Sequence, residues 1–372
     1  MSNAIQVGII GCGNISAAYM RMGSYFKDYQ VIACADLNMD FARARAAEFD
    51  LRAISVDQLL ADSAIDIIVN LTIPAAHYQV SKAILEAGKH VYSEKPYVLS
   101  VAEGTELAAL AQSKGLRIGS SPDTFLGASH QLARALVEAG EIGKITSGTA
   151  HVMSHGMEHW HPNPDFFYQP GAGPVLDLGP YYISNLVQLI GPIESVSAMS
   201  ATPRTSRTIS NGDRSGESVA VNTPTTIHAL LKFKSGTIIS YGTSWDVYSN
   251  EHNNMELYGA KGTMYVPDPN FFGGDLRITD GSQTPVIRDW PHPFNQVNDN
   301  GQANYRGVGL AEMSQAIKDE RPHRCNNDLA LHVVDVMTAI LESGESGQAV
   351  QLTTSCEKPQ PMSAAQAGAL IA

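Results

Sequence analysis

The chain is poor in cysteine, with only Cys12, Cys34, Cys325 and Cys356 in 372 residues. They lie far apart and form no Cys-x-x-Cys pair, which speaks against a disulfide framework or a zinc knuckle and for reduced thiols in a cytoplasmic protein. Positive charge is scarce too: 25 Lys and Arg stand against 37 Asp and Glu, a net charge of −12. Nucleic acid and anionic membrane surfaces, which need clustered Lys and Arg, are therefore not expected partners. No apolar run approaches the length of a membrane span, and no basic, apolar leader precedes the first periodic segment. There is no internal repeat and no low-complexity tract. What is there is the composition of a soluble globular protein, 44% hydrophobic and 17% charged, too long for one ordinary core and so expected to form two domains.

The first third alternates apolar runs with helical segments. Ile5 to Ile10 is nearly all apolar, as in a strand buried on both faces. Gly11-Cys12-Gly13-Asn14-Ile15-Ser16 follows, then a helix-compatible stretch to Phe26. Glycines at 11 and 13 permit a tight turn and let backbone N–H groups approach a pyrophosphate at a helix start. Ser16 stands where the dinucleotide fingerprint has a third glycine, and it is small enough to keep helix and strand close. A second strand, Gln30 to Ala35, ends in Asp36, an acid placed to accept the ribose hydroxyls of NAD and to repel the 2′-phosphate of NADP. The bland alternative is an α/β turn with a solvent-facing Asp.

The rhythm continues through a short helix from Asp57 to Ala61 and a strand from Ile65 to Leu71. The loop Thr72-Ile73-Pro74 leads into a helix from Ala75 to Ala87, with His77 in its first turn. A strand from His90 to Ser93 stops at Glu94-Lys95-Pro96; a helix from Val101 to Ser113 and a strand from Leu116 to Ser120 complete the pattern. We expect six strands in a doubly wound parallel sheet ending near Pro122, five of them placed by these runs. A lysine at the carboxyl end of such a strand is well placed for chemistry, although Glu-Lys-Pro can also be a plain surface turn.

After Pro122 the pattern changes. A helix at Ser129 to Glu138 precedes a strand from Lys144 to Met153 and an aromatic, histidine-rich loop from His155 to Tyr168. Gly171-Ala172-Gly173-Pro174 opens an apolar helix from Val175 to Ile190. Hairpins follow at Thr225 to Thr243 and Met255 to Val266, then helices at Gly309 to Asp319 and Asp328 to Glu342. Arg204 to Thr223 and Ser282 to Asn304 read as loops. The fold class is α/β with a second, α+β domain over residues 123–372, built on an open, mainly antiparallel sheet whose bare face needs a cover. A second copy is the expected cover, giving a homodimer or homotetramer. The last helix is placed to pack back on domain 1–122.

Asp177 and Tyr181 lie one helical turn apart and point the same way. With a lysine they would form a Lys–Asp–Tyr cluster suited to oxidising an alcohol or reducing a carbonyl: the phenol exchanges the proton, the ammonium lowers its pKa, and the carboxylate orients both. The same residues could instead be a buried cap and a core tyrosine. His155-Gly156-Met157-Glu158-His159 matches the H-x-x-E-H pattern, but that pattern holds zinc only on a helix. Gly156, Pro162 and Pro164 favour a loop, so no metal is expected. A loop of His, Trp, Asn and Tyr suits a sugar better.

Taken together these stretches resemble the Gfo/Idh/MocA family of oxidoreductases: Gly11 to Ile15, Pro74 to His77 running on to Val91, Glu94-Lys95-Pro96, and Gly171 to Tyr181. The resemblance implies an N-terminal Rossmann domain, a C-terminal sheet used for oligomer contacts, and NAD-dependent hydride transfer on a sugar or cyclic polyol. It implies a catalytic role for Lys95 and Asp177. Tyr181 stands where the inositol dehydrogenase branch has histidine and the glucose–fructose oxidoreductase branch has tyrosine. Trp160 resembles half of a Trp-Arg pair near the nicotinamide, with His161 in the arginine's place. On this reading the cofactor meets Gly11, Gly13, Asn14, Ile15, Asp36, Thr72, Pro74, His77, Glu94, Lys95 and Trp160. The substrate meets Lys95, Asp123, His155, Trp160, His161, Asp177 and Tyr181. A redox-assisted glycosidase and a non-catalytic NAD-bound sensor are the competing readings.

Overall fold

The computed structural model describes residues 4–282, 284–297, 301 and 303–372. The first stretch runs β1 (Ile5–Ile10), α1 (Ser16–Gly23), β2 (Tyr29–Ala35), α2 (Met39–Phe49), β3 (Arg52–Ala53), α3 (Val56–Ala61), β4 (Ile67–Asn70), a 3-10 turn (Pro74–Ala76), α4 (His77–Glu86), β5 (His90–Ser93), α5 (Val101–Ser113) and β6 (Ile118–Ser120). All six strands are parallel, in the order β3-β2-β1-β4-β5-β6. The order reverses at β1, so β1 and β4 flank the switch point where α/β sheets bind ligands beyond the carboxyl ends of their strands. Val7, Ile9, Ile67, Ile68, Val69, Val91 and Tyr92 are completely buried, which is why β1 and β4 read as nearly unbroken apolar runs. Local signals set the helix starts: Ser55 and Gln58 form a capping box on α3, Asn38 caps α2 and Ser100 caps α5.

The chain then forms α6 (Ala128–Glu138), β7 (Ile145–Met153), α7 (Pro174–Ile190), β8 (Ile193–Ala201), β9 (Ser206–Thr208), β10 (Ser218–Ala220), β11 (Thr226–Phe233), β12 (Ile238–Ser244), β13 (Met255–Gly259), β14 (Thr263–Val266), β15 (Leu276–Thr279) and β16 (Val286–Arg288). It ends with α8 (Val308–Lys318), α9 (Asn327–Ser346), β17 (Val350–Gln351) and α10 (Ala364–Gly368). Among the described residues nine strands make one mixed sheet, β16-β15-β14-β13-β7-β12-β11-β8-β17, in which only β7 and β12 pair in parallel. α7 packs on β7, β11 and β12, and along β11 Ile227, Ala229, Leu231 and Phe233 are buried. The alternate residues face away from α7, and Met199, Leu230 and Ile238 are exposed there.

The division into units differs from a single cut after Pro122. Residues 4–128, 291–334 and 359–372 form one compact unit; 129–290 and 335–358 form the other. The first unit thus reclaims α8, because Asp123 and Asp28 bind it: Gly307 and Gly309 donate backbone N–H groups to Asp123 Oδ2 at 2.8 and 3.0 Å, and Lys318 reaches Asp28 at 2.6 Å. The expected loops also change. Arg204 to Thr223 contains the hairpin of β9 and β10. Within 282–304, Val286–Arg288 is a strand and Pro293–Asn295 a 3-10 turn, while 283, 298–300 and 302 lie outside the described residues.

Candidate active site

In the first unit the hydrogen-bond ladder runs past the strand ends and fixes the loops there. Gly11 donates to Ala35 O, Leu71 to Ile10 O, Glu94 to Asn70 O and Ser121 to Ser93 O, all at 2.8–2.9 Å. Gly11 has φ 100°, and a Cβ there would come within 2.6 Å of the Leu71 backbone, so no side chain fits. Gly13 and Asn14 are exposed. The N–H groups of Gly13, Asn14 and Ile15 donate to no protein acceptor among the described residues, the condition in which a helix start receives an anion. Ser16 is buried in place of the third glycine: its hydroxyl donates to Gly13 O at 2.6 Å and accepts from Arg45 Nε at 3.1 Å. These residues fit a dinucleotide pyrophosphate.

Asp36 is half-buried at the end of β2. One oxygen takes the Cys12 N–H at 2.8 Å and the other the Asn38 N–H at 2.8 Å. Each carboxylate oxygen keeps a second lone pair, and the pinned carboxylate offers these to hydroxyls. Across the switch point Asn70 organises the next loop. Its amide donates to His77 O and Ser81 Oγ, both at 3.0 Å, and its carbonyl accepts the Thr72 hydroxyl at 2.7 Å. Thr72 and Pro74 are half-buried on that loop.

Glu94 is buried and Lys95 half-buried beyond β5, and the Lys95–Pro96 and Ser121–Pro122 bonds are cis. Glu94 Oε2 accepts the backbone N–H of Lys95 at 2.9 Å; Oε1 accepts the Tyr19 hydroxyl at 2.8 Å and lies 3.6 Å from Arg306. Burial pushes Glu94 up, but the charges of Arg306 and Lys95, with those hydrogen bonds, outweigh it and hold the carboxyl below its ordinary value. Glu94 therefore serves as a buried anchor that fixes the backbone of Lys95. Tyr19, Asn70, Ser121 and Arg306 escape a reading of sequence, since only the folded chain gathers them around the strand ends.

Two expected site residues are engaged otherwise. Asp123 is completely buried and caps α8, so it leaves the substrate set; burial raises its pKa, outweighing Arg306 and the two N–H donors. His77 is 1% exposed, and both ring nitrogens lie on backbone carbonyls: Nδ1 2.7 Å from Pro96 O, Nε2 2.9 Å from Thr72 O. Its ring holds the protein's own loops.

In the second unit Gly173, at φ 95°, caps α7, and Pro174 begins it. Asp177 lies in the first turn of α7, where the helix dipole favours a carboxylate. Tyr181 is buried one turn later. The 155–168 segment carries no α-helix. Glu158 is instead the centre of a buried structural cluster, accepting from the Tyr168 hydroxyl and from Arg207 Nη1 at 2.8 Å. His155 packs against Tyr248 with ring centroids 3.8 Å apart and the planes tilted by 36°. His161 packs against Trp160, Phe166 and Phe167, leaving Trp160 55% exposed. The segment thus offers a flat aromatic face to solvent.

A doubly wound sheet with an open glycine turn, an acid after β2 and a lysine after β5 defines a dinucleotide-binding oxidoreductase. Comparison with known proteins narrows the class. A model described as an oxidoreductase family with an NAD-binding Rossmann fold matches residues 5–121, and a GFO/IDH/MocA C-terminal domain model matches 130–265. The chain belongs to the Gfo/Idh/MocA family of oxidoreductases. It is 27% identical to dTDP-3,4-didehydro-2,6-dideoxy-alpha-D-glucose 3-reductase of Saccharopolyspora spinosa, over 72% of this chain and 75% of that one. It is 20% identical to 1,5-anhydro-D-fructose reductase of Ensifer adhaerens, over 93% and 98%. Its fold superposes on levoglucosan dehydrogenase in complex with NADH with a TM-score of 0.79, at 19% identity and over 95% and 100% of the two chains.

Proposed function

We propose that the protein transfers a hydride between NAD and a hydroxyl-bearing carbon of a sugar or cyclic polyol. The observation that carries this reading is the carboxyl edge of the parallel sheet, which presents the Gly11 turn, Asp36 and the anchored Lys95 along one row of strand ends. Relatives whose names specify deoxysugar and anhydrosugar reduction support the substrate class. NAD is preferred over NADP because Asp36 accepts the ribose hydroxyls and repels a 2′-phosphate.

The bound nicotinamide supplies the hydride acceptor or donor. Lys95 steadies the substrate oxygen as charge develops on it, Tyr181 exchanges the hydroxyl proton, and Asp177, one helical turn before Tyr181, orients the phenol. His155, Trp160 and His161 present aromatic faces to the C–H faces of the sugar. The exposed row of Met199, Leu230 and Ile238 is covered by a second copy of the chain. A panel of sugars and polyols with either cofactor, followed by NADH or NADPH absorbance, tests the reading. Turnover with NAD on a sugar or polyol is expected. Turnover confined to non-carbohydrate alcohols, or to NADP, would overturn the corresponding part.

A further inference from the structure

The ring of His77 poses a problem of proton count. It is buried at the first position of α4 and faces two carbonyl oxygens, Pro96 O at 2.7 Å and Thr72 O at 2.9 Å. Carbonyls only accept, and a neutral imidazole carries one N–H. With one proton, the second nitrogen turns its lone pair toward a carbonyl oxygen in a site closed to water, which is costly. Only the imidazolium donates to both. Burial opposes that charge and lowers the pKa of His77, with the Lys95 ammonium acting in the same direction; the two carbonyls and Glu94 act against it. The start of α4 adds its own disfavour toward a cation.

The two carbonyls belong to loops that matter. Thr72 follows β4 and Pro96 follows Lys95 beyond β5, and β4 and β5 are neighbours in the sheet. Asn70 independently anchors the Thr72 loop through its hydroxyl. A fixed Thr72 loop lets the ring transmit its constraint to the segment carrying Lys95.

We propose that His77 is a positioning residue, a proton-linked brace that ties the Lys95–Pro96 segment to the Thr72 loop through two hydrogen bonds when the ring is charged and through one when it is neutral. The brace rests on the reading of Lys95 as the group that steadies the substrate oxygen. Its proton moves only within the protein and solvent and is not consumed in turnover. Acid below the ordinary histidine range charges the ring and tightens the brace; rising pH removes one of the two bonds. Glu94 and Lys95, on the segment packed against the ring, are the charged groups that set where this occurs.

The test combines ring spectroscopy with variants. In protein labelled with ¹⁵N-histidine, the His77 ring, assigned by its loss in His77→Gln, should pass below pH 6.5 from one protonated nitrogen to two while the protein stays folded. His77→Gln, which keeps two amide N–H donors and cannot titrate, should retain turnover within a few fold and lose the matching inflection in the pH profile of kcat. His77→Leu, which keeps bulk and loses donors, should lower kcat by about 10- to 100-fold, as expected for a displaced reacting group, with a smaller change in the KM for NAD. A ring that stays singly protonated down to the acid limit of folding would overturn the proposal. Retention of the inflection in His77→Gln would also overturn it. The spectrum stands even if Leu at position 77 unfolds the chain. Lys95→Met separates the two readings: full turnover in that variant removes the role of Lys95, whereas the ring titration is measured without activity.

Discussion

Tyr181 and Asp36 bear the two most specific assignments at the scale of single residues. Tyr181→Phe removes one hydroxyl from a buried ring, so the fold should survive while kcat falls by about a hundredfold or more, the range for loss of an acid/base group. A pH–rate profile identical to wild type would exclude the phenol as proton carrier. Asp36→Ala removes the carboxylate that holds the Cys12 and Asn38 N–H groups. The ratio of kcat/KM for NAD over NADP should fall by about tenfold or more, as one charge-assisted contact is worth; an unchanged ratio would contradict its role. Individual residues were unevenly legible. Gly11, Asp36 and Lys95 stand at strand ends, and an apolar run followed by a polar stop marks such ends. Asp123 looked equally exposed to function in sequence, but its partner, the start of α8, lies far along the chain at Gly307 and Gly309.

Elements reveal which signals a chain broadcasts. β1 and β4 were readable because strands covered on both faces are nearly continuous apolar runs. β3 is only Arg52–Ala53 and carries no pattern. β8 was missed because three of its residues are serine, although Ile193, Val196 and Ala198 are buried. β9 and β10 hid in a polar stretch because the side chain buried on β9 is Arg207, bound to Glu158 and Asp246. Two substitutions test element geometry. Gly11→Ala forces a Cβ into the Leu71 backbone at a left-handed φ, which should cost about 1–3 kcal/mol in strain and weaken NAD binding; normal NAD affinity and melting temperature would refute the close approach. Asp123→Ala uncaps α8 and should destabilise the protein by about 0.5–2 kcal/mol, seen as a lower urea midpoint. Unchanged stability would show that the cap contributes nothing.

For the molecule as a whole, buried histidines set the response to acid. Burial pushes His323 in the first unit and His130 in the second down to about 4. Both are neutral when folded, while an unfolded ring titrates near the ordinary value of 6.5. Their contribution is complete above pH 6.5 and is lost as pH falls toward 4, so the urea midpoint should drop between pH 7 and pH 5 and drop less in His323→Gln. A flat pH dependence would contradict these environments. The two-unit architecture was legible as a switch from strand–helix alternation to hairpins. The return of 291–334 to the first unit was not, because helical periodicity says that α8 is amphipathic without saying against what it packs. The most direct measurement is on Lys95→Met, with NAD affinity by calorimetry and NADH formation on the best sugar substrate measured in parallel. NAD affinity within a few fold of wild type, with turnover reduced to near background, is the predicted result; wild-type turnover in that variant would contradict the account.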